Sequence, residues 1–344
     1  MFLNRGLTKL GLAAPSQQLM TDIALTDYAA EKAGSMRRAA RGEPLFRGLT
    51  FLAALFVLVL FIGVMIALTM GSLPAIKEFG PAFLWTETWK PATEKFGAFS
   101  AIVGTLVTSF LAMLVALPVG IGIAIFLTEL CPRWLRRPIG IAIELLAGIP
   151  SIIYGIWGLF VFAPWFQLHL QEPIIEAFAN VPVLGTLLGG TAYGIGTFTA
   201  GLILSIMILP FIAAVTRDVF LTVPSMLKEA AYGLGCTTWE VMWQVVIPYA
   251  RTGVFGGAML ALGRALGETM AVTFVIGNAH RLSPSLFAPG TSISATIANE
   301  FTEATTELYT SSLITMGLIL FFITFIVLAT AQLMLRRLEK QAGK

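Results

Sequence analysis

The sequence predicts an all-α membrane protein with six transmembrane helices. Three observations carry this. Apolar residues fill 57% of the 344 positions and charged residues only 12%, about half of what a soluble domain carries. Six stretches are long and apolar enough to cross a hydrocarbon core of roughly 30 Å as helices. Lys and Arg are strongly biased between alternate loops.

The elements follow in order. Residues 1–48 form a polar, mildly basic N-terminal extension, in which 17–41 reads either as a surface helix or as a mobile arm. The membrane domain covers 49–337, with spans at about 49–71, 101–128, 139–163, 191–215, 252–276 and 312–335, and a tail of 338–344 follows. The first apolar run starts near residue 49 and is a full span in length, so no signal peptide is expected. Span 2 carries Pro118, span 3 has Gly148-Ile149-Pro150 near its middle, and span 4 carries Pro210. Each proline removes a donor and frees a carbonyl, which needs a partner in a bilayer. Span 5 holds Gly253/Gly257 and Gly263/Gly267, two G-x-x-x-G pairs suited to close helix contact, either inside one bundle or between subunits.

Orientation follows from the cations. An even number of spans puts both termini on one side. With that side cytoplasmic, seventeen Lys and Arg lie inside and four outside, namely Lys77, Lys90, Lys95 and Arg281. The basic residues are therefore topology signals, and no nucleic-acid partner is expected. Cys131 and Cys236 fall in loops on the cytoplasmic side, where a structural disulfide is not expected. His169 and His280 fall on separate outer loops, in 164–190 and 277–311, and no metal site is indicated. Trp85, Trp89 and Trp165 suit the membrane interface.

Arg264 and Glu268 stand four residues apart inside span 5, in GRALGETMAVTFVIGN (263–278). A charge at the centre of a bilayer helix costs roughly 2.5–3.5 kcal/mol. Such a pair must face protein or a water-filled path, so it marks either a substrate pathway or a packing salt bridge. Glu144, near the cytoplasmic start of span 3, either snorkels to the interface or reaches toward Arg264. Ser151, Tyr154, Thr269 and Thr273 can donate to a passing oxyanion or bond helix carbonyls.

Between spans 4 and 5, residues 217–250 read as a helix–turn–helix elbow. Pro224-Ser225 opens a first helix, Gly233 and Gly235 stop it, and a second runs from 238 to 246 before Pro248. Here a specific resemblance appears. Glu229-Ala230-Ala231, then Gly235, then nine residues to Val245-Val246-Ile247-Pro248 resembles the coupling loop of ABC importer permeases, with Val245 and Ile247 in place of the usual Ile and Leu. ELLAGIPSIIYGIWGLFV (144–161) and GRALGETMAVTFVIGN resemble the permeases of the bacterial phosphate-specific ABC importer (Pst system), and GETMAV is similar to the C subunit rather than the A subunit.

The resemblance covers roughly 50–335 and implies a type I ABC importer permease fold. It implies a second homologous permease subunit as heterodimer partner, a dimer of ATPase subunits and an extracytoplasmic phosphate-binding protein. It places the elbow as the coupling helix and the chain in the bacterial inner membrane. It maps the family's charged span-5 residues onto Arg264 and Glu268. The ATP and its magnesium belong to the ATPase, so no cofactor is expected in this chain and no enzymatic activity. The sequence has no G-x-x-x-x-G-K-[ST] of its own.

The chemistry suits phosphate. An arginine presents a planar donor fork to a multi-oxygen anion. Glu268 is expected to hold Arg264 at rest and to accept a proton from a protonated phosphate oxygen, which fully ionised sulfate lacks. Two alternatives remain: a permease for another oxyanion such as sulfate or molybdate, and a membrane scaffold or sensor in phosphate signalling. Reporting phosphate status to a signalling kinase is compatible with transport. An intramembrane serine hydrolase is disfavoured, because both histidines fall outside the spans.

Overall fold

The computed structural model describes the backbone of residues 17–341 and side chains over 44–337, so part of the expected extension 1–48 and of the tail 338–344 lies outside the described residues. The chain divides into two units, 1–67 and 68–344. In the first, the described side chains from 44 to 64 are exposed throughout, Phe51, Leu52 and Phe56 among them. An apolar helix uncovered on every side is what a bilayer accommodates.

The helices are α1 (Gln17–Phe79), α2 (Phe99–Leu130), α3 (Arg133–Ala147), α4 (Ser151–Phe178), α5 (Thr197–Leu221), α6 (Ser225–Gly233), α7 (Thr238–Leu266), α8 (Ile293–Glu300) and α9 (Glu307–Gln341). Six stretches are long and apolar enough to span: Pro44–Leu84, α2, α4, α5, α7 and Glu307–Arg337.

Three boundaries differ from the sequence reading. The break at Gly148-Ile149-Pro150 separates two helices, and the second continues to Phe178, so much of the expected loop 164–190 is helical and His169 lies on α4. Its ring stacks on Trp165 one turn back, with centroids 5.5 Å apart. The run α3–α4 lies antiparallel along α5: Gly140 meets Arg217, Gly158 meets Ile203, and Phe166 stacks on Phe198. α5 continues to Leu221 and α7 starts at Thr238, so the elbow outside the long helices is shorter than 217–250. α7 ends at Leu266, ten residues before the expected end of span 5 at 276.

The core is built from small residues. Ala112, Ala116, Ala200 and Ala261 are fully buried with Ile203, Leu204 and Ile208 where α2, α5 and α7 meet. Glycine sets the approach. A Cβ at Gly120 would come within 2.7 Å of Ile212, at Gly253 within 2.6 Å of Val219, and at Gly257 within 2.6 Å of Val215. The first G-x-x-x-G pair therefore packs α7 on α5 inside this chain. At Gly263 the neighbour is Leu328 of α9.

The α5 N-terminus is capped by a distant loop rather than by its own side chains. Val275 O accepts from Gly196 N–H (2.9 Å), Ala288 O from Thr197 N–H (3.2 Å) and Leu286 O from Phe198 N–H (2.9 Å). These donors would otherwise be orphans of the first turn. Gly277 (φ 92°) and Asn278 (φ 51°) turn that loop back through the left-handed region.

At the same end, the Glu300 carboxylate ties three elements together. It accepts from His280 Nε2 (2.7 Å), Tyr309 O–H (2.7 Å) and Trp89 Nε1–H. The Trp89 and His280 rings stack at 5.5 Å, and Phe96 stacks on Tyr309 at 5.1 Å. Burial works to raise the Glu300 pKa, but the three donors, His280 first, outweigh it and hold the carboxyl below its ordinary range.

A depressed carboxyl stabilises the fold fully above the unfolded-state pKa, and that contribution is lost as pH falls through the folded value. Acidification below about pH 4.5 is therefore expected to lower the unfolding temperature of the wild type more than that of Glu300→Gln. Parallel pH profiles for the two proteins would refute this anchor.

Candidate functional site

The intramembrane charges sit at a helix break. Arg264 lies in the last turn of α7, whose C-cap is Gly267 (φ −92°, ψ 1°), and a new helical turn starts at Met270 and ends at Thr273. The expected Arg264–Glu268 pair is therefore not made: the helix ends between them, and no ion pair of either residue within 4.0 Å occurs among the described residues. The cation stands where the helix dipole favours it, at a C-terminus. Its side chain is exposed in this chain.

Glu268 does a different job. Its Oε1 accepts from Ala271 N–H (3.2 Å), which satisfies a donor of the new turn. Its backbone carbonyl accepts from Ser294 O–H of α8 (2.9 Å). The break is thus pinned from a third element.

The second break lies alongside. Pro150 has no N–H to give to the carbonyl of Leu146, and the Tyr154 hydroxyl donates to that carbonyl at 3.0 Å. Gly155 lets α4 approach the other break, since a Cβ there would stand 2.9 Å from Met270 O and 2.8 Å from Phe274. The charge of Arg264 also acts on Tyr154. Arg264, Glu268, Tyr154 and the 269–274 turn therefore form one neighbourhood.

The remaining candidates divide. Thr269 O–H reaches Gly267 O at 3.5 Å, and Thr273 O–H bonds Thr269 O at 2.7 Å, so both serve the broken backbone. Ser151, at the first turn of α4, has no side-chain hydrogen bond among the described residues. Glu144 neither reaches Arg264 nor stands free: it accepts from Arg217 Nη2 at 2.7 Å, on the α3–α5 contact. Arg217 also holds Asp218, at 2.8 Å. Its partner role was not visible in sequence, because 73 residues separate Arg217 from Glu144.

The elbow is compact. α6 ends at Gly233, Gly235 with a φ of 88° then reverses the chain, and Thr237 with Glu240 forms a capping box at the start of α7. Ala231 is buried with Phe220, Val223, Val241, Met242 and Val246, and Val245 and Ile247 pack against that cluster. Glu229, Ala230 and Pro248 point outward and are exposed. Glu229 makes no side-chain hydrogen bond among the described residues, and the side-chain bonding that closes the turn comes from Glu240 and Thr237. A widened turn at Met242–Val246 leads into Pro248, which cannot continue a regular ladder. Met226, Leu234 and Trp239 are 76%, 86% and 68% exposed apolar side chains of the elbow, and the Trp243 ring packs edge-on against Trp239 at 5.4 Å.

One contact fixes the elbow to the bundle. Lys228 Nζ meets Glu129 Oε1 at 2.6 Å, with side chains only 17% and 11% exposed. Removing one partner from so buried a pair leaves an uncompensated charge. Glu129→Gln is expected to cost on the order of 3 kcal/mol in a stability measurement, and Glu129→Gln/Lys228→Met to recover most of it. A neutral single substitution would show that the pair does not hold the elbow.

Neither cysteine is bonded, and no group of three potential metal ligands occurs among the described residues.

Comparison with known proteins places the chain. A family model described as binding-protein-dependent transport system inner membrane component matches residues 116–340. A phosphate transport system permease protein PstC of Mesorhizobium japonicum is 62% identical over 320 residues, 93% of this chain and 98% of that protein. A PstC of Pasteurella multocida is 60% identical, covering 88% of this chain and 94% of its own. Among solved structures, a bacterial alginate ABC transporter in complex with its alginate-bound periplasmic protein contains a chain of the same fold, at TM-score 0.57 and 18% identity, covering 86% of this chain and 95% of that one. The fold is that of type I ABC importer permeases.

Proposed function

The chain belongs to the binding-protein-dependent transport inner membrane components, within the PstC permeases, and from that premise we propose that it forms half of the phosphate path of an ATP-driven importer. It is a multi-pass protein of the inner membrane. The observation that carries the pathway reading is the guanidinium of Arg264, at a broken helix end and without an ion-pair partner among the described residues.

The geometry supports this reading in several ways. The cation bias puts the elbow on the cytoplasmic side. There the exposed Met226, Leu234 and Trp239 fit an ATPase subunit, and α7, with one widened turn at Met242–Val246, joins that surface to Arg264. The loops around Glu300 lie on the other side, where a phosphate-binding protein would dock. The exposed side of Arg264 would face a second permease subunit across the path. Hydrolysis of ATP would belong to the partner, and this chain would catalyse no reaction.

In the cycle, closure of the ATPase pair would move the elbow, the two permeases would rock against each other, and the path would open outward. Phosphate would pass Arg264 at a weak site, since tight binding prevents release. The fork of Arg264 recognises two oxygens of a tetrahedral anion. Glu268, held at the break by Ala271 N–H, would accept a hydrogen bond from the protonated oxygen that phosphate carries and sulfate lacks.

The test is uptake of radiolabelled phosphate and sulfate in the native host, with this chain deleted and then restored. The wild type is expected to restore phosphate uptake alone, and Arg264→Gln to lose most of it at matched membrane levels. Normal transport by Arg264→Gln would make that residue structural. Glu268→Gln is expected to admit sulfate, and unchanged rejection would remove the hydrogen-bond acceptor role.

A further inference from the structure

We propose that the cavity lined by Arg133, Arg136, Arg137 and Arg217 binds a phosphate group, carried by an anionic lipid headgroup or by inorganic phosphate. The cavity measures about 280 Å³ and lies between α3 and the ends of α2 and α5, well away along the chain from Arg264. This site goes beyond the transport reading and does not depend on it.

Four guanidinium groups share one concave space, and the only carboxylate lining it is Glu144, already engaged by Arg217 at 2.7 Å. Arg133, Arg136 and Arg137 make no ion pair among the described residues. Basic residues at a loop end are ordinarily topology signals in contact with water. Arg136 departs from that pattern. Its Nε is buried without a hydrogen-bond partner, and its Nη2 has only the carbonyl of Cys131, at 3.5 Å. An unsatisfied charged donor is costly, and an anion in the cavity removes that cost.

The local backbone adds to the demand. α3 is 15 residues long, it opens on Arg133, and it has no acid in its first turn. Cations at a helix N-terminus oppose the dipole, whereas a phosphate there satisfies it. Gly140 lets the Arg217 guanidinium lie close against α3 at the cavity wall, because a Cβ at that position would come within 2.7 Å of Arg217 Nη1. Trp134 next to Arg133 is 76% exposed, as suits a ring seated at the membrane interface. A bidentate guanidinium is the usual recognition element for a phosphate.

The experiment uses the purified full-length chain. In one arm, native mass spectrometry counts phosphatidylglycerol against phosphatidylcholine retained from mixed nanodiscs. In the other, radiolabelled inorganic phosphate is bound in detergent free of anionic lipid. Arg133→Gln/Arg137→Gln, two exposed positions, is compared with Arg336→Gln/Arg337→Gln, which removes the same charge elsewhere. Loss of two charge-assisted contacts is expected to lower retention by roughly tenfold or more in the first variant and not in the second. A fall in the lipid arm assigns a headgroup, and a fall in the phosphate arm, retained in Arg264→Gln, assigns the free anion. Equal loss in the charge-matched control, or no loss in either arm, overturns the proposal. Should the double variant fail to fold, Arg137→Gln replaces it. A wild type that neither prefers phosphatidylglycerol nor binds phosphate overturns the proposal without any variant.

Discussion

Inside a bilayer no water is at hand to satisfy a freed backbone group, so every helix break must bring its own partners. This constraint organises the molecule. The break before Ser151 is closed by Tyr154 on the carbonyl of Leu146. The break after Leu266 is closed by Glu268 on Ala271 N–H, by Ser294 on the Glu268 carbonyl and by Thr273 on the Thr269 carbonyl. The start of α5 is closed by carbonyls of the 275–288 loop. Glu268 and Thr273 are local to their break, but Ser294 comes from α8 and the carbonyls that cap α5 come from the 275–288 loop, so those closures hold only when the bundle is assembled. Tyr154, Thr269 and Thr273, which suit an oxyanion in a pathway, are thereby committed to the backbone, whereas Ser151 and Arg264 carry no such commitment among the described residues.

Much of this was legible in the sequence, for particular reasons. The apolar runs announced six spans because length and composition suffice for that, whatever the helix period. The elbow was legible because Pro224 and Gly235 are punctuation whose geometry is local: Pro224 opens α6, and Gly235 takes a φ of 88°. The motif from Glu229 to Pro248 supplied, by resemblance, the coupling role proposed for it. The end of α7 was not legible. GRALGETMAV contains no proline, and the residues after Gly267 read as ordinary helix. What ends the helix is tertiary, the hold of Ser294 on the Glu268 carbonyl from 26 residues away. The pairs Arg217–Glu144 and Lys228–Glu129 were hidden for the same reason, since the partners are 73 and 99 residues apart. His280 was legible only as a residue outside the spans, and its carboxylate partner became visible only in the fold.

The two functional ends meet in one element. α7 is a helical run of 29 residues, about 43 Å at 1.5 Å per residue, with one widened turn at Met242–Val246. It begins at the capping box of the elbow and ends at the turn that carries Arg264. A helix of this length transmits displacement better than a loop does, provided its near end is fixed to what moves it. Two features supply that fixation: the buried cluster around Ala231, and the Lys228–Glu129 pair at the foot of α2. Gly253 and Gly257 seat α7 on Val219 and Val215 with no intervening side chain, so α5 must travel with it. A movement of the elbow therefore arrives at the break as a movement of α5 and α7 together. The half-turn beyond the break is tied instead to α8 through Ser294 and packed against α4 through Gly155. The joint at Gly267 is where those two sets of contacts part, and Arg264 stands in the turn before it. A change in the angle there alters what Arg264 faces without breaking any hydrogen bond inside α7, which is the mechanical requirement of a gate worked from one end.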